Sequence, residues 1–202
     1  MVNPKFIVIT GIDGAGKDYV TQQIQKYDPN STIIKTPTEP FIPARLNIDE
    51  CALETPASHY FFYLASVIHA SCMVEKRLAR GNVYCVRYLL DTVVYHRAMG
   101  LPIDLEYETP LYRIRRPDLT FLLTIFDERI RQRRLHDRHC ITPGDLIVND
   151  RSLREAILAE YARFADQLIP IDNSQRDVDD VAGDIWRIIS SSTVPQGLNV
   201  LV

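Results

Sequence analysis

Five short apolar runs recur along the chain, and stretches with helical periodicity separate them. The runs cover residues 5–10, 32–36, 83–86, 119–125 and 168–172. The first contains the β-branched, apolar segment Phe6 to Ile9, whose composition suits a strand buried on both faces. Such alternation of strands and helices predicts a parallel sheet with helices on both faces.

The stretches between these runs carry helix start and stop signals. The predicted helices include 16–27, 55–80, 88–98 and 177–191. The longest has Pro56 near its start and Gly81 after its end, the positions at which these residues are favoured. Three prolines predict an irregular connection over 37–45.

Length and composition narrow the class of protein. A chain of 202 residues with 46% hydrophobic residues predicts one globular domain, here residues 1–192, with a poorly anchored tail over 193–202. The net charge of −3 argues against binding to polymeric nucleic acid. No apolar run approaches the roughly 18 residues of a membrane span, and no secretory signal is evident. We therefore expect a cytoplasmic protein that does not bind membranes.

The four cysteines show no metal-like pairing. Cys51 and Cys140 are expected at the surface, whereas Cys72 and Cys85 are expected in the core of a protein from a reducing compartment.

The clearest chemical signal follows the first predicted strand. Residues 5–17 read Lys-Phe-Ile-Val-Ile-Thr-Gly-Ile-Asp-Gly-Ala-Gly-Lys, which matches the glycine and lysine positions of a phosphate-binding P-loop. Asp18 occupies the position of the Ser or Thr whose hydroxyl normally holds Mg²⁺. The pattern predicts a phosphate site at the N-terminus of a helix, with Lys17 as a point charge. The alternative is a glycine-rich turn that binds nothing.

Charged and turn-forming segments follow the other predicted strands. They are Thr36–Pro40, Arg87–Tyr88, Asp127–Arg138 and Asn173–Gln175. Ligands of open parallel sheets bind beyond the carboxyl ends of the strands, so these segments and the P-loop are expected to line one site.

The ordered set of motifs resembles the thymidylate kinase family of nucleoside monophosphate kinases. The P-loop with its internal Asp13 is similar to that of the family, and the resemblance extends to about Ile189. Four further segments carry it: Thr36-Pro-Thr-Glu-Pro40, Val86-Arg87-Tyr88 with Tyr95, Arg116-Pro-Asp-Leu-Thr-Phe-Leu-Leu123 and Glu128-Arg-Ile-Arg-Gln-Arg-Arg134. The resemblance implies a single-domain three-layer α/β/α P-loop kinase fold. It implies a five-stranded parallel sheet in the order 2-3-1-4-5, an arginine-rich lid over about 129–150, and a homodimer.

The resemblance also implies an activity and a set of roles. The activity is phosphoryl transfer from ATP, with Mg²⁺, to a nucleoside monophosphate. The catalytic candidates are Lys17, Asp13, Arg87, Arg129 and Arg133. The candidates for binding ATP are Gly11, Asp13, Gly14, Ala15, Gly16, Lys17, Asp18, Tyr19, Arg134, Arg138 and Asn173. Those for binding the acceptor are Asp13, Glu39, Arg45, Phe62, Ser66, Arg87 and Tyr95.

Several positions depart from the family pattern. Val86 replaces an aspartate, and Thr38 and Ser66 stand where the family has arginines. Loss of a bidentate donor should change how the base edge is recognised, so we predict an altered acceptor, a modified or non-thymine nucleotide. Asp18 is predicted to hold Mg²⁺ in place of both the missing hydroxyl and the carboxylate that Val86 displaced.

Other interpretations remain open for single residues and for the whole chain. Phe62 belongs to an aromatic run that could be core, and Arg45 and Glu39 could be surface residues. His69 and His96 could be structural, and Asp91 could cap a helix or pair with Arg87. Two alternative functions are a kinase of nucleosides or other small hydroxyl compounds, and a non-catalytic nucleotide-binding regulator.

Overall fold

The five strands form one parallel sheet in the order β2-β3-β1-β4-β5. The computed structural model describes residues 3–137 and 149–191. The strands are β1 Phe6–Thr10, β2 Thr32–Lys35, β3 Val83–Val86, β4 Leu119–Thr124 and β5 Ile169–Asp172. Their bounds lie within one residue of the predicted ones, and the predicted order is confirmed.

The central strand β1 divides the hydrophobic core between the two faces of the sheet. Ile7 and Ile9 face one cluster, in which side chains of α1 Lys17–Tyr27, α6 Arg151–Ala162 and α7 Val178–Ser190 pack together. Phe6 and Val8 face the other cluster, with α3 Pro56–Leu78 and α4 Leu89–Ala98. Because successive side chains of a strand point to opposite faces, a continuous apolar run supplies both layers.

Two further helices complete the α-helical structure of the described residues. They are α2 Ile42–Glu50 and α5 Glu128–His136, and short 3₁₀ segments occupy Glu39–Phe41 and Ala165–Gln167. Aspartates cap three helices: the side chains of Asp127, Asp150 and Asp177 accept from the backbone N–H groups of Arg129, Leu153 and Asp179. Such caps satisfy N–H groups that have no partner inside the helix.

Two expectations are corrected by the fold. The irregular connection predicted over 37–45 becomes helical at Ile42, because Pro43 lies in the first turn, where a helix tolerates proline. Cys72 is exposed on α3, while Cys85 is buried and Cys51 exposed as expected. Cys140 and the tail 193–202 lie outside the described residues. None of the described helices combines the length and apolar character needed to cross a bilayer.

Candidate nucleotide-binding site

The P-loop connects β1 to α1 and is held from two sides. Gly14 and Gly16 have φ angles of 89° and 85°, in the region that favours glycine. A Cβ on Gly14 would lie 2.6 Å from Cγ of Arg131, and one on Gly16 would lie 2.7 Å from Nδ2 of Asn173. Glycine is therefore required both by the turn and by the close approach of two neighbouring segments.

Lys17 is the buried cation of the loop. Its Nζ donates hydrogen bonds to the carbonyls of Gly11 and Ile12, each at 2.8 Å, and lies 3.9 Å from Oδ1 of Asp13. Burial first, and the positive charge of Arg87 second, lower the pKa of Lys17 to about 7. The ammonium group is thus costly to keep charged until an anion approaches.

Arg87 faces the P-loop from the end of β3. Its guanidinium donates to Asp13, lies 3.7 Å from Oδ1 of Asp91 and stands 5.1 Å from the centre of the Tyr95 ring. Burial opposes ionisation, but the carboxylate of Asp13 raises the pKa of Arg87 well above its ordinary value. The residue adopts a φ of 65°, which is rare outside glycine and is found at functional sites.

Asp91 is both a helix cap and a partner of Arg87. It accepts from the backbone N–H of Tyr88, from Oγ1 of Thr10 at 2.6 Å and from the hydroxyl of Tyr161 at 3.0 Å. These bonds join β1, α4 and α6 behind Arg87. Its buried carboxylate therefore supports the position of the guanidinium, as well as lining the cavity.

One cavity of about 550 Å³ extends from the P-loop across the carboxyl ends of β2 and β3. Much of its polar lining falls into two groups. The P-loop end carries Asp13, Lys17, Asp18, Tyr19, Lys35 and Arg87, with Tyr95 against Arg87, and the far end carries Arg45, Asp49, His59, Tyr63 and His96, which hydrogen bonds link to one another. The structure thus brings both predicted phosphate-binding cations, Lys17 and Arg87, to one space, with Asp13 between them.

Asp18 lies in the first turn of α1, at the edge of this cavity. Its carboxylate pairs with Nζ of Lys35 at 2.8 Å and is partly exposed. Neighbouring Tyr19 lines the rim and is 70% exposed. Among the described residues no cluster of three or more carboxylate, histidine or cysteine side chains could hold a metal by itself. A cation here would need oxygens from phosphate and water in addition to Asp18.

Three predicted acceptor residues lie outside the cavity lining. Glu39 is exposed at the start of a 3₁₀ segment. Phe62 packs edge-on against the rings of Phe41 and Tyr63. Ser66 is fully buried, and its hydroxyl accepts from the backbone N–H of Thr38 at 2.8 Å. The structure does not bring these three side chains into the cavity, whereas Arg45, Arg87 and Tyr95 line it.

Thr38 and Ser66, the positions where the family has arginines, lie next to one another. Their hydroxyls are 3.4 Å apart, and Oγ1 of Thr38 lies 2.9 Å from Nδ1 of His69. His69 is therefore a hydrogen-bonded structural residue. The two replacements place two short hydroxyl side chains in a buried space beside the imidazole of His69.

Sequence reasoning missed a hydrogen-bonded group at the far end of the cavity. Asp49, His59 and Tyr63 were not predicted, and His96 was considered structural. The two α3 members, His59 and Tyr63, share a helix face at a spacing of four residues, but α2, which carries Asp49, was not predicted. No local signal could place the three helices against one another.

The helix α5, which begins the predicted lid, turns two of its arginines inward and two outward. Arg129 and Arg133, the predicted catalytic residues, are exposed. Arg131 is buried, donates to the carboxylate of Glu128 at 2.6 and 2.8 Å, and reaches the carbonyl of Asp13 at 3.4 Å. The packing of Gly14 against Arg131 selects this face. Arg138 lies outside the described residues.

Arg134 lies on the inward side, beside the P-loop. Its Nη1 is buried without a hydrogen-bond partner among the described residues, and Nη2 donates to the carbonyl of Ser174 at 3.4 Å. Nη1 would lie 3.6 Å from a Cβ placed on Gly16. Nearby Asn173 is buried and donates to the carbonyl of Ala15 at 2.7 Å. Buried donors without partners are rare, so this guanidinium is available to an anion at the P-loop.

Comparison with known proteins places this geometry in context. The thymidylate kinase family model matches residues 9–185. A probable thymidylate kinase of Methanocaldococcus jannaschii is 25% identical over 194 residues, which cover 92% of this chain and 95% of that protein. Another from Pyrobaculum aerophilum is 29% identical, covering 91% of this chain and 95% of that protein.

Solved structures agree in fold. The thymidylate kinase from Candida albicans superposes with a TM-score of 0.63 at 19% identity, covering 93% of this chain and 91% of that chain. The thymidylate kinase from Ehrlichia chaffeensis gives a TM-score of 0.67 at 17% identity, covering 94% and 100%.

Proposed function

Because the chain belongs to the thymidylate kinase family, we propose that it transfers the γ-phosphoryl group of ATP to a nucleoside monophosphate other than thymidylate. One observation carries the transfer: Lys17 and Arg87 face the same cavity from opposite sides of Asp13. Phosphoryl transfer depends mainly on positioning two anionic groups and on stabilising the charge between them.

The donor triphosphate lies along the P-loop in this proposal. The N-terminus of α1, Lys17 and Arg134 supply N–H donors and positive charge, as expected of an anion site at a helix start. Asn173 fixes the carbonyl of Ala15 and so supports the loop from the β5 side. Arg131 supports it from the lid side.

Asp18 is the proposed protein ligand of Mg²⁺. When bound there, Mg²⁺ would supply positive charge that stabilises the charge developing on the transferred phosphoryl group. The site fits such a cation, because a partly exposed carboxylate stands next to Lys17 at the cavity edge, and Mg²⁺ accepts one or two carboxylates beside phosphate and water. To hold the cation, Asp18 would give up its ion pair with Lys35.

Altered acceptor choice is proposed from Thr38 and Ser66. In this chain both are buried and hydrogen-bonded to each other, so neither presents a donor to the cavity. Arg45 and Arg87 are the arginines that line the cavity in the described part of the chain. An acceptor base is therefore recognised by a different set of groups from the one the family pattern implies.

The proposal is tested by an ATP-consumption screen with Mg²⁺ against natural and modified nucleoside monophosphates and the matching nucleosides. We expect transfer to at least one monophosphate, with a higher kcat/KM than thymidylate gives. Preference for a nucleoside over its monophosphate would support the small-molecule kinase alternative instead. ATP binding without transfer to any acceptor would support the non-catalytic alternative.

The role of Asp18 is tested by two substitutions at the same position. Asp18→Ala should lower kcat about 100-fold or more and weaken Mg²⁺-dependent ATP binding measured by calorimetry, because the cation loses its protein ligand. Asp18→Ser restores a hydroxyl and should retain activity within about tenfold of the wild type. Equal activity of wild type and Asp18→Ala would contradict this assignment.

A homodimer is also proposed. The predicted helices 55–80 and 88–98 are the candidate dimer surfaces. On α4 the apolar residues Leu89, Leu90, Val93 and Val94 are buried inside the chain. Exposed apolar side chains lie on α3, at Phe61, and on α2, at Ile42 and Leu46. Sedimentation equilibrium should give a dimer mass, and Phe61→Arg should shift it towards the monomer.

A further inference from the structure

A line of buried polar side chains joins three helices at the far end of the cavity. His96 of α4 lies with Nε2 2.7 Å from Nδ1 of His59 on α3, and Nε2 of His59 lies 3.1 Å from Oδ1 of Asp49 on α2. All three residues are buried. We call Asp49, His59 and His96 the relay.

The hydrogen bonds of the relay fix where its protons lie. Nδ1 of His96 is 2.6 Å from the carbonyl of Thr92, which only accepts, so this nitrogen carries a proton. Burial lowers the pKa of His96 to about 4, so its Nε2 is an acceptor at neutral pH. Nδ1 of His59 must therefore donate to it.

One more proton lies between His59 and Asp49. Oδ1 of Asp49 accepts from Nε2 of His59 and from the hydroxyl of Tyr63 at 2.8 Å. Burial favours the neutral carboxyl, but the hydrogen bonds from His59 and Tyr63 hold the pKa of Asp49 below its ordinary value. Asp49 is therefore a carboxylate, and it accepts at the end of the line that runs from His96 through His59.

Arg45 contacts the relay at its outer member, Asp49. Its Nε donates to Oδ2 of Asp49 at 3.1 Å, and its side chain is about one third exposed, at 32%. A guanidinium has five N–H donors. The bond to Asp49 uses one of these donors and the contact with Tyr63 another, and within residues 3–137 and 149–191 no further bond of this guanidinium is seen at the cavity.

We propose that the relay is a positioning device that fixes the guanidinium of Arg45 for acceptor recognition, which makes Arg45 the specificity-determining residue of the acceptor end. The inference rests on the proposed function and extends it. Thr38 and Ser66 have removed the arginines that the family pattern places near the acceptor. Arg45 lines the same cavity from α2. It bonds to Oδ2 of Asp49, whereas His59 bonds to Oδ1.

The chemistry of the relay suits this role. Every hydrogen-bonding atom of the two histidines already has a partner, so neither imidazole is available to a ligand directly. Buried ion pairs contribute little net stability, because desolvation offsets their attraction. Their benefit here is a single, rigid orientation of Arg45, which presents a planar fork to a base carbonyl or a phosphate.

The test is a double-mutant cycle with calorimetric titration of a panel of 2′-deoxynucleoside 5′-monophosphates, which needs no turnover. For the best-bound member, Asp49→Asn and Arg45→Gln should each weaken Kd about tenfold or more, the size expected for loss of an oriented charged hydrogen bond. The double variant should bind no more weakly than Arg45→Gln alone, because Asp49 acts through Arg45. In kinetics, KM for the acceptor should rise while KM for ATP stays unchanged.

Glu160→Gln is the matched control. It breaks the pair between Glu160 and Arg97 at 2.7 Å, which joins α4 and α6 away from the cavity lining. Acceptor affinity should not change in this variant. Arg45→Lys adds a check that does not depend on the folding of Asp49→Asn. Lysine keeps the positive charge but lacks the planar guanidinium. Arg45→Lys should therefore lose as much acceptor affinity as Arg45→Gln.

Several results would overturn the inference. Additive losses in the double variant would show that Asp49 acts independently of Arg45, and a lowered Tm with unchanged Kd would show a structural relay. Full affinity of Arg45→Lys would show that only charge matters. In these cases a monophosphate still binds the wild type and the proposed function stands. If no monophosphate binds the wild type, the proposed function and the inference about Arg45 fail together.

Discussion

Lys17 is the residue on which the pH dependence of nucleotide binding should depend. Its pKa is about 7 in the ligand-free chain, because burial disfavours the charged ammonium. A bound triphosphate favours that charge and raises the pKa. At pH 7 we expect ATP binding to take up about half a proton. The affinity for ATP should therefore fall as the pH rises above 7.

Calorimetry in buffers of different ionisation enthalpy measures this uptake. Lys17→Met should abolish it, and an unchanged uptake in that variant would assign the proton elsewhere. Stability changes with pH in the opposite direction to ATP affinity. Between pH 7 and 10.5 the unfolded chain holds more protons on Lys17 than the folded chain does. Lys17 therefore makes the free energy of unfolding of the ligand-free protein increase as the pH rises.

Sequence reasoning identifies single residues best where a local pattern fixes them. Lys17 and Asp13 could be predicted because the P-loop sets both spacing and backbone conformation. Phe62 and Ser66 could not, because their direction depends on how α3 rotates against the sheet. The pairing of His59 with His96 depends on contact between two helices, which no single stretch of sequence contains.

One inward-facing arginine, Arg131, joins helix α5 to the P-loop. Arg131→Ala removes the bonds to Glu128 and Asp13 and the packing against Gly14. We expect KM for ATP to rise about tenfold and the free energy of unfolding to fall by about 2 kcal/mol, as for a buried hydrogen-bonded charge. Steady-state kinetics and urea unfolding measure the two effects.

Arg129→Ala is the control on the same helix. Arg129 is exposed, so both quantities should change little, within about 0.5 kcal/mol for stability. A larger kinetic loss in Arg129→Ala than in Arg131→Ala would indicate that the exposed face of α5, which carries Arg129, has the catalytic role.

Elements were predicted more accurately than their orientations. Strand bounds follow from apolar runs between polar segments, which is why all five agree within a residue. The helix α2 was missed because three prolines in nine residues indicate a loop, although Pro43 fits a first helical turn. Which face of α5 turns inward is decided by Gly14, a residue distant in sequence.

For the whole molecule, the two core layers share the strand β1 and should unfold together. Ile185→Ala in the α7 layer and Leu64→Ala in the α3 layer should each lower the free energy of unfolding by about 2–5 kcal/mol. Circular dichroism and tryptophan fluorescence should report one coincident transition in each variant. Leu111→Ala, at a side chain 93% exposed, should change stability by less than about 0.5 kcal/mol. Two separate transitions would contradict a single cooperative domain.

Three cations that line the cavity stand beside carboxylates of the same chain: Arg87 beside Asp13, Lys35 beside Asp18 and Arg45 beside Asp49. An arriving phosphate therefore meets sites that already have internal counter-ions. Binding becomes an exchange of one anion for another, rather than capture by a bare positive surface. Small anions that cannot engage several of these sites at once have little to gain, so we expect the cavity to bind a whole nucleotide in preference to inorganic anions.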